Sequence, residues 1–106
     1  MDKQKQYRHG DVFLRATVVP VTAIEQARDN GDVVLAYGEV TGHAHRIKER
    51  TVKMWSVGDQ WYITVERPSE LTHEEHGTIT LPPGSYEVVH QREYDYLAEM
   101  PRNVAD

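Results

Sequence analysis

Five of the six histidines in this 106-residue chain lie between Gly38 and His90, and two of them form the triplet His43-Ala44-His45, four residues ahead of Glu49. On a β-strand successive side chains point to opposite faces, so His43 and His45 project from one face, within reach of a single ion. Imidazole is the commonest neutral metal ligand, and two or three imidazoles with a carboxylate make an open site able to activate a small ligand. Downstream, His73-Glu74-Glu75-His76 sets two more imidazoles around two carboxylates, and His90 ends the run. The pattern reads as a site for one divalent transition metal (Zn, Ni, Mn or Fe), bound by His43 and His45 with at least one of His73, His76 and His90. Imidazole must be deprotonated to bind, so affinity is expected to fall below roughly pH 6.

Each of these residues also has a plainer reading. A spacing of three puts His73 and His76 on opposite faces of a strand, and on one face only in a helical turn, so one of the two is expected as a ligand. Glu74 and Glu75 read first as solvated loop charges. At an open metal position either would serve as a general base, which makes them the catalytic candidates. The His-Glu-Glu-His run is one residue short of the zinc-protease helix, and Pro68 and Gly77 leave no room for that helix. His90 shares a strand face with Tyr86 and Val88, which fits a buried core histidine as well as a ligand. Arg46 and Arg92, near the ends of the two His-bearing strands, would orient a carboxylate or phosphate by bidentate hydrogen bonds, against the default reading of surface arginine. His9, beside Gly10-Asp11 and apart from the others in sequence, is expected at the surface.

The elements that must position these residues are short strands. Asp11 to Val19 alternates, with Val12, Leu14, Ala16 and Val18 on one side, and Pro20 ends it. Thr22-Ala23-Ile24-Glu25 is a capping-box pattern with Asn30-Gly31 as a left-handed stop, which predicts one helix of about two turns. Strand patterns return over Val33 to Tyr37, Glu39 to Ile47, Thr51 to Val57 and Gln60 to Glu66, with Gly58-Asp59 as a two-residue hairpin turn. Leu71 to His73 and Thr78 to Leu81 are shorter, and Pro82-Pro83-Gly84 turns the chain into Ser85 to Arg92. Seven or so strands with one short helix predict an all-β domain, either a small cupin-like barrel or a two-layer β-sandwich. At this length, residues 1–106 make a single domain, with a tail from 94 to 106 that is flexible or covers a sheet edge.

Composition narrows the partners. Twelve Lys and Arg against 17 Asp and Glu leave a net charge of −5, with the basic residues spread singly, which disfavours nonspecific nucleic-acid binding. With no cysteine, any metal must be held by His, Asp or Glu. No apolar run approaches the roughly 20 residues of a membrane span, so a soluble, cytoplasmic protein is expected, with pairing into a homodimer through edge strands left open.

From Gly38 through His43, His45 and Glu49 the chain resembles the first motif of cupins, in which a glycine precedes His-x-His and a glutamate follows. The resemblance implies Glu49 as a further metal ligand, with the His43-His45 strand beside the strand Ser85 to Arg92. Pro82-Pro83-Gly84-Ser85-Tyr86-Glu87 carries the Pro-x-Gly of the second motif but has Glu87 where cupins place a histidine. The chain also resembles a family of small bacterial and phage proteins through Gly10-Asp11-Val12, Gly38 to His45, His73 to His76, Leu81 to Tyr86 and Gln91-Arg92-Glu93. That likeness implies no particular activity. Three function classes fit: a metal-dependent enzyme acting on a small or anionic substrate, a ligand-sensing module, and a phage or mobile-element accessory protein in which the metal is structural or absent.

Overall fold

The computed structural model describes residues 5–38 and 42–90, so Arg92 and the tail 94–106 lie outside the described residues. Within them the chain forms ten strands and no helix: β1 (Gln6–His9), β2 (Val12–Ala16), β3 (Ile24–Gln26), β4 (Val33–Tyr37), β5 (Ala44–Ile47), β6 (Lys53–Val57), β7 (Gln60–Val65), β8 (Ser69–Thr72), β9 (Ile79–Leu81) and β10 (Gly84–His90). They make two antiparallel sheets, one of six strands in the order β1-β2-β10-β7-β6-β3 and one of four in the order β4-β5-β8-β9. Neither closes into a barrel. No helix among the described residues is long and apolar enough to cross a membrane.

Alternation along the strands builds the core. Val12, Leu14, Ile63, Val65, Tyr86 and Val88 come from the larger sheet, and Val33, Leu35, Ile47, Leu71 and Leu81 from the smaller one. Together with Val52 they form a single buried cluster. Each large aliphatic side chain withdrawn from water stabilises by about 1.5–3 kcal/mol, so this shared apolar interior is what holds one sheet on the other.

Three tight turns carry their own sequence logic. Gly10-Asp11 joins β1 to β2 with His9 opposite Val12, and Gly58-Asp59 joins β6 to β7 with Val57 opposite Gln60. In both, the first turn residue has positive φ, 62° at Gly10 and 56° at Gly58, a conformation that glycine adopts without strain. Asn30 and Gly31 both have positive φ between the bridged pair Asp29 and Asp32, the backbone of a type I′ turn.

Two expectations need correction. The predicted helix over Thr22 to Arg28 is absent: Ile24, Glu25 and Gln26 pair with Ser56, Trp55 and Met54 on β6. Two turns are too few to hold a helix without a packed face, and Ile24 is exposed, so hydrogen bonds to the open edge of β6 win. The Asn30-Gly31 signal belongs to a hairpin turn, not a helix stop. The strand bearing His45 and the last strand are not neighbours either. β5 pairs with β4 and β8, and β10 with β2 and β7, in different sheets.

Arg28, inside the expected helix, instead ties together the turn after β5. Its guanidinium donates to the carbonyls of Val52 at 2.6 Å, Gly31 at 2.7 Å and Glu49 at 3.1 Å. A planar fork can serve diverging carbonyls at once, which a lysine ammonium cannot do with the same geometry. Hydrogen bonds from a charged donor contribute more than neutral ones, so Arg28→Met should lower stability by about 2 kcal/mol, and Arg28→Lys should recover less than half of that loss. Urea denaturation of the three proteins, compared at equal slope, checks this.

Candidate metal centre

The register between β5 and β8 assembles most of the histidines. Arg46 lies opposite Thr72 and Ile47 opposite Leu71. Carried one residue further, the same register sets His45 opposite His73, and cross-strand partners on one face stand about 4.5–5.5 Å apart at Cβ. Their ring centroids are 4.4 Å apart. Carried two residues further it brings Ala44 to Glu74, where the Ala44 amide donates to Glu74 Oε1 at 2.9 Å. One more step brings His43 to Glu75, with His43 Nδ1 3.4 Å from Glu75 Oε2.

The loop between β8 and β9 turns His76 back over this row. Its ring stacks on His45 with centroids 5.6 Å apart and lies 4.6 Å from that of His73. A side chain at Gly10 would place its Cβ 2.6 Å from His76 Nε2, so the bare α-carbon of the β1–β2 turn is what lets the imidazole settle there. One nitrogen from each of His45, His73 and His76 lies within 4.8 Å of the others, and a second such set joins His43, His73 and Glu74. Both sets use His73, whose Nδ1 already accepts from the Glu75 amide at 2.9 Å.

From the opposite sheet come His9 and Asp11. His9, at the end of β1 and only 3% exposed, has its Nδ1 2.8 Å from His45 Nδ1 and its Nε2 2.9 Å from the Gly77 carbonyl. Asp11 Oδ1 is 3.3 Å from His45 Nε2. His45 is therefore approached at both nitrogens, and it too is almost fully buried.

Residues 8–91 match the model of a family described as a domain of unknown function, DUF8820. The chain belongs to that family. The match spans the whole cluster, from His9 to Gly77, so the DUF8820 domain includes every residue of the candidate centre. No curated protein and no solved structure gives a match.

Within this DUF8820 domain the expected ligands separate. His43, His45, His73, His76, Glu74 and Glu75 are brought together; Glu49, His90 and Arg46 are not. Glu49 sits in the turn after β5, where its carboxylate accepts from the Thr51 hydroxyl at 2.9 Å and lies 3.7 Å from Arg67 Nε. It caps that turn, four residues along the chain from His45. His90 Nε2 donates to the Leu35 carbonyl at 2.8 Å, and two strand spacings of about 4.8 Å each separate it from His9 along the Val12 row. Arg46 points to the face opposite His45, where Asp32 lies at 3.5 Å and the Gly42 carbonyl at 3.3 Å. Arg92 lies outside the described residues.

His9 is the residue that sequence reasoning missed, since it was expected at the surface. The signal was local: on β1 Tyr7 and His9 alternate with exposed Gln6 and Arg8, and the Gly10-Asp11 turn directs the strand end inward. What no local pattern reveals is that the partner awaiting it is His45.

Burial pushes the His45 imidazole down to about 4, aided by the neighbouring His73 and His9 and opposed by Asp11. Burial also lowers His9, opposed by its bond to the Gly77 carbonyl and aided by His76 and His73. The Glu74 carboxyl is held below its ordinary range first by the Ala44 amide. In the metal-free fold His9 and His45 are thus neutral, whereas in the unfolded chain they take up protons near 6.5. The unfolded state binds more protons in that window, so stability is complete above about pH 6.5 and falls as pH drops towards 4. For His45 the loss is at most about 3 kcal/mol. Urea midpoints measured with a chelator between pH 7.5 and pH 4.5 should fall more steeply for the wild type than for His45→Ala.

Proposed function

We propose that this protein binds one divalent transition metal through His45, His73 and His76. A single observation supports the reading most: three imidazoles, one of them buried, offer nitrogens mutually within 4.8 Å in a chain that has no cysteine. Burying the His45 imidazole costs free energy that a hydrophobic side chain would not, and the apolar cluster beside it contains no histidine. A shared ion gives those lone pairs a partner. The competing set of His43, His73 and Glu74 is weaker, because Glu74 Oε1 already accepts from the Ala44 amide. Three neutral imidazoles suit zinc best among the metals considered, with nickel, iron and manganese behind it.

A groove adjoins the centre. Asp11, which faces His45, also lines it, together with Asp29, Asp59, Tyr37, Trp61 and His90. Its three aspartates, with no lysine or arginine among the described lining residues, suit a cationic or aromatic small molecule. The function we favour is accordingly metal binding, with a small-molecule site beside the ion.

Element analysis of untagged protein should find one equivalent of metal per chain. In zinc titration calorimetry His45→Ala and His73→Ala should each remove measurable stoichiometric binding, while His43→Ala should weaken it by less than about threefold. Wild-type protein that takes up no metal after reconstitution would sink the reading.

A further inference from the structure

The buried pair His9 and His45 is anchored at one end by a group whose role is fixed. The Gly77 carbonyl can only accept, so His9 Nε2, 2.9 Å away, carries the proton of that bond. A neutral His9 then has its lone pair on Nδ1, and His45 Nδ1, at 2.8 Å, must be the donor to it. A neutral His45 protonated at Nδ1 has its remaining lone pair on Nε2. That lone pair faces Asp11 Oδ1 at 3.3 Å.

In that tautomer both atoms are acceptors and repel, and 3.3 Å exceeds the roughly 2.7–2.9 Å of a charge-assisted hydrogen bond. The separation does match two ligand atoms on one tetrahedral zinc. Bonds of about 2.0–2.1 Å at the tetrahedral angle set their outer ends about 3.3–3.4 Å apart. A cation lying between His45 Nε2 and Asp11 Oδ1 converts a repulsive juxtaposition into an attractive one. At His73 the Glu75 amide donates to Nδ1, so the neutral ring carries its proton on Nε2, and ligation takes either Nδ1 in place of that amide or Nε2 once the proton has moved to Nδ1.

On the footing of the three-histidine site proposed above, we infer that Asp11 is the fourth ligand and that His9 is a positioning residue, fixing the tautomer that presents Nε2 of His45 to the metal. Asp11 stands outside the set of mutually close nitrogens and reaches the ion by a turn of its partly exposed side chain. Ligating histidines characteristically donate their other ring N–H to a fixed acceptor, and here that acceptor is itself an imidazole locked by a backbone carbonyl. The result is a closed shell of three histidines and one aspartate, the coordination number of structural zinc sites. Its ligands come from both sheets, Asp11 from the β1–β2 turn and the histidines from β5 and the β8–β9 loop, so the ion ties the two layers together. A shell so filled leaves Glu74 and Glu75 no metal-bound water to activate.

Two measurements on the full chain test this. In metal-free protein near pH 7.5, long-range proton–nitrogen correlation should show His9 protonated at Nε2 and His45 at Nδ1. A His45 protonated at Nε2, or at both nitrogens, would overturn the inference. In zinc titrations Asp11→Asn should weaken binding at least tenfold. His9→Phe should weaken it ~10–100-fold and leave His45 in mixed tautomers, while His9→Gln, whose amide can accept from His45 and donate to Gly77, should stay within about threefold of wild type. If Asp11→Asn and His9→Phe bind zinc as wild type does while His45→Ala does not, the three-histidine site stands and the fourth ligand fails. If wild type itself binds no zinc, both fail. Failure of His9→Phe to fold leaves the Asp11→Asn and His9→Gln comparisons to decide.

Discussion

The antiparallel register of β5 against β8 is the constraint on which both the interior and the site depend. One alignment puts Ile47 beside Leu71 in the core and, one pair further towards the strand end, His45 beside His73. A slip of one residue would turn Ile47 and His45 outward together and bring Arg46 into the apolar interior. The buried aliphatics that specify the register therefore specify the histidine row as well. The site is the continuation of the core, at the point where apolar side chains give way to imidazoles.

That continuity explains why the imidazoles are held so firmly for polar groups. His9 and His45 are buried by the same approach of two sheets that buries Val12 and Leu35. Polar rings placed there must satisfy one another, and a chain runs from the Gly77 carbonyl through His9 to His45, with Asp11 at its far end. Gly10 contributes by what it lacks. Its bare α-carbon both makes the tight turn and leaves space for the His76 ring.

Much of the fold was legible along the chain. Period-two alternation located most of the strands, and the Gly58-Asp59 hairpin follows from backbone chemistry that acts over two residues. The helix expected at Thr22 to Arg28 failed for an equally physical reason: a capping pattern is worth about 1 kcal/mol, less than the edge of β6 offers a short segment with no face to bury. Membership of the DUF8820 family extends over nearly all of the described residues without attaching an activity to them.

The sequence by itself determined the donor chemistry: no thiol, six imidazoles, and a pair of His-rich runs whose spacing suits strand ends and a hairpin loop. It also determined that the structure would be made of strands, because alternation is a local property of the chain. Only the tertiary structure decided which imidazoles meet. His9 joins the cluster from 36 positions away, while Glu49, four residues from His45, is drawn to Thr51 and Arg67. Such choices are made by sheet order and by the packing of one sheet on the other. These bring together groups distant in sequence through the burial of apolar side chains that carry no trace of the chemistry they position.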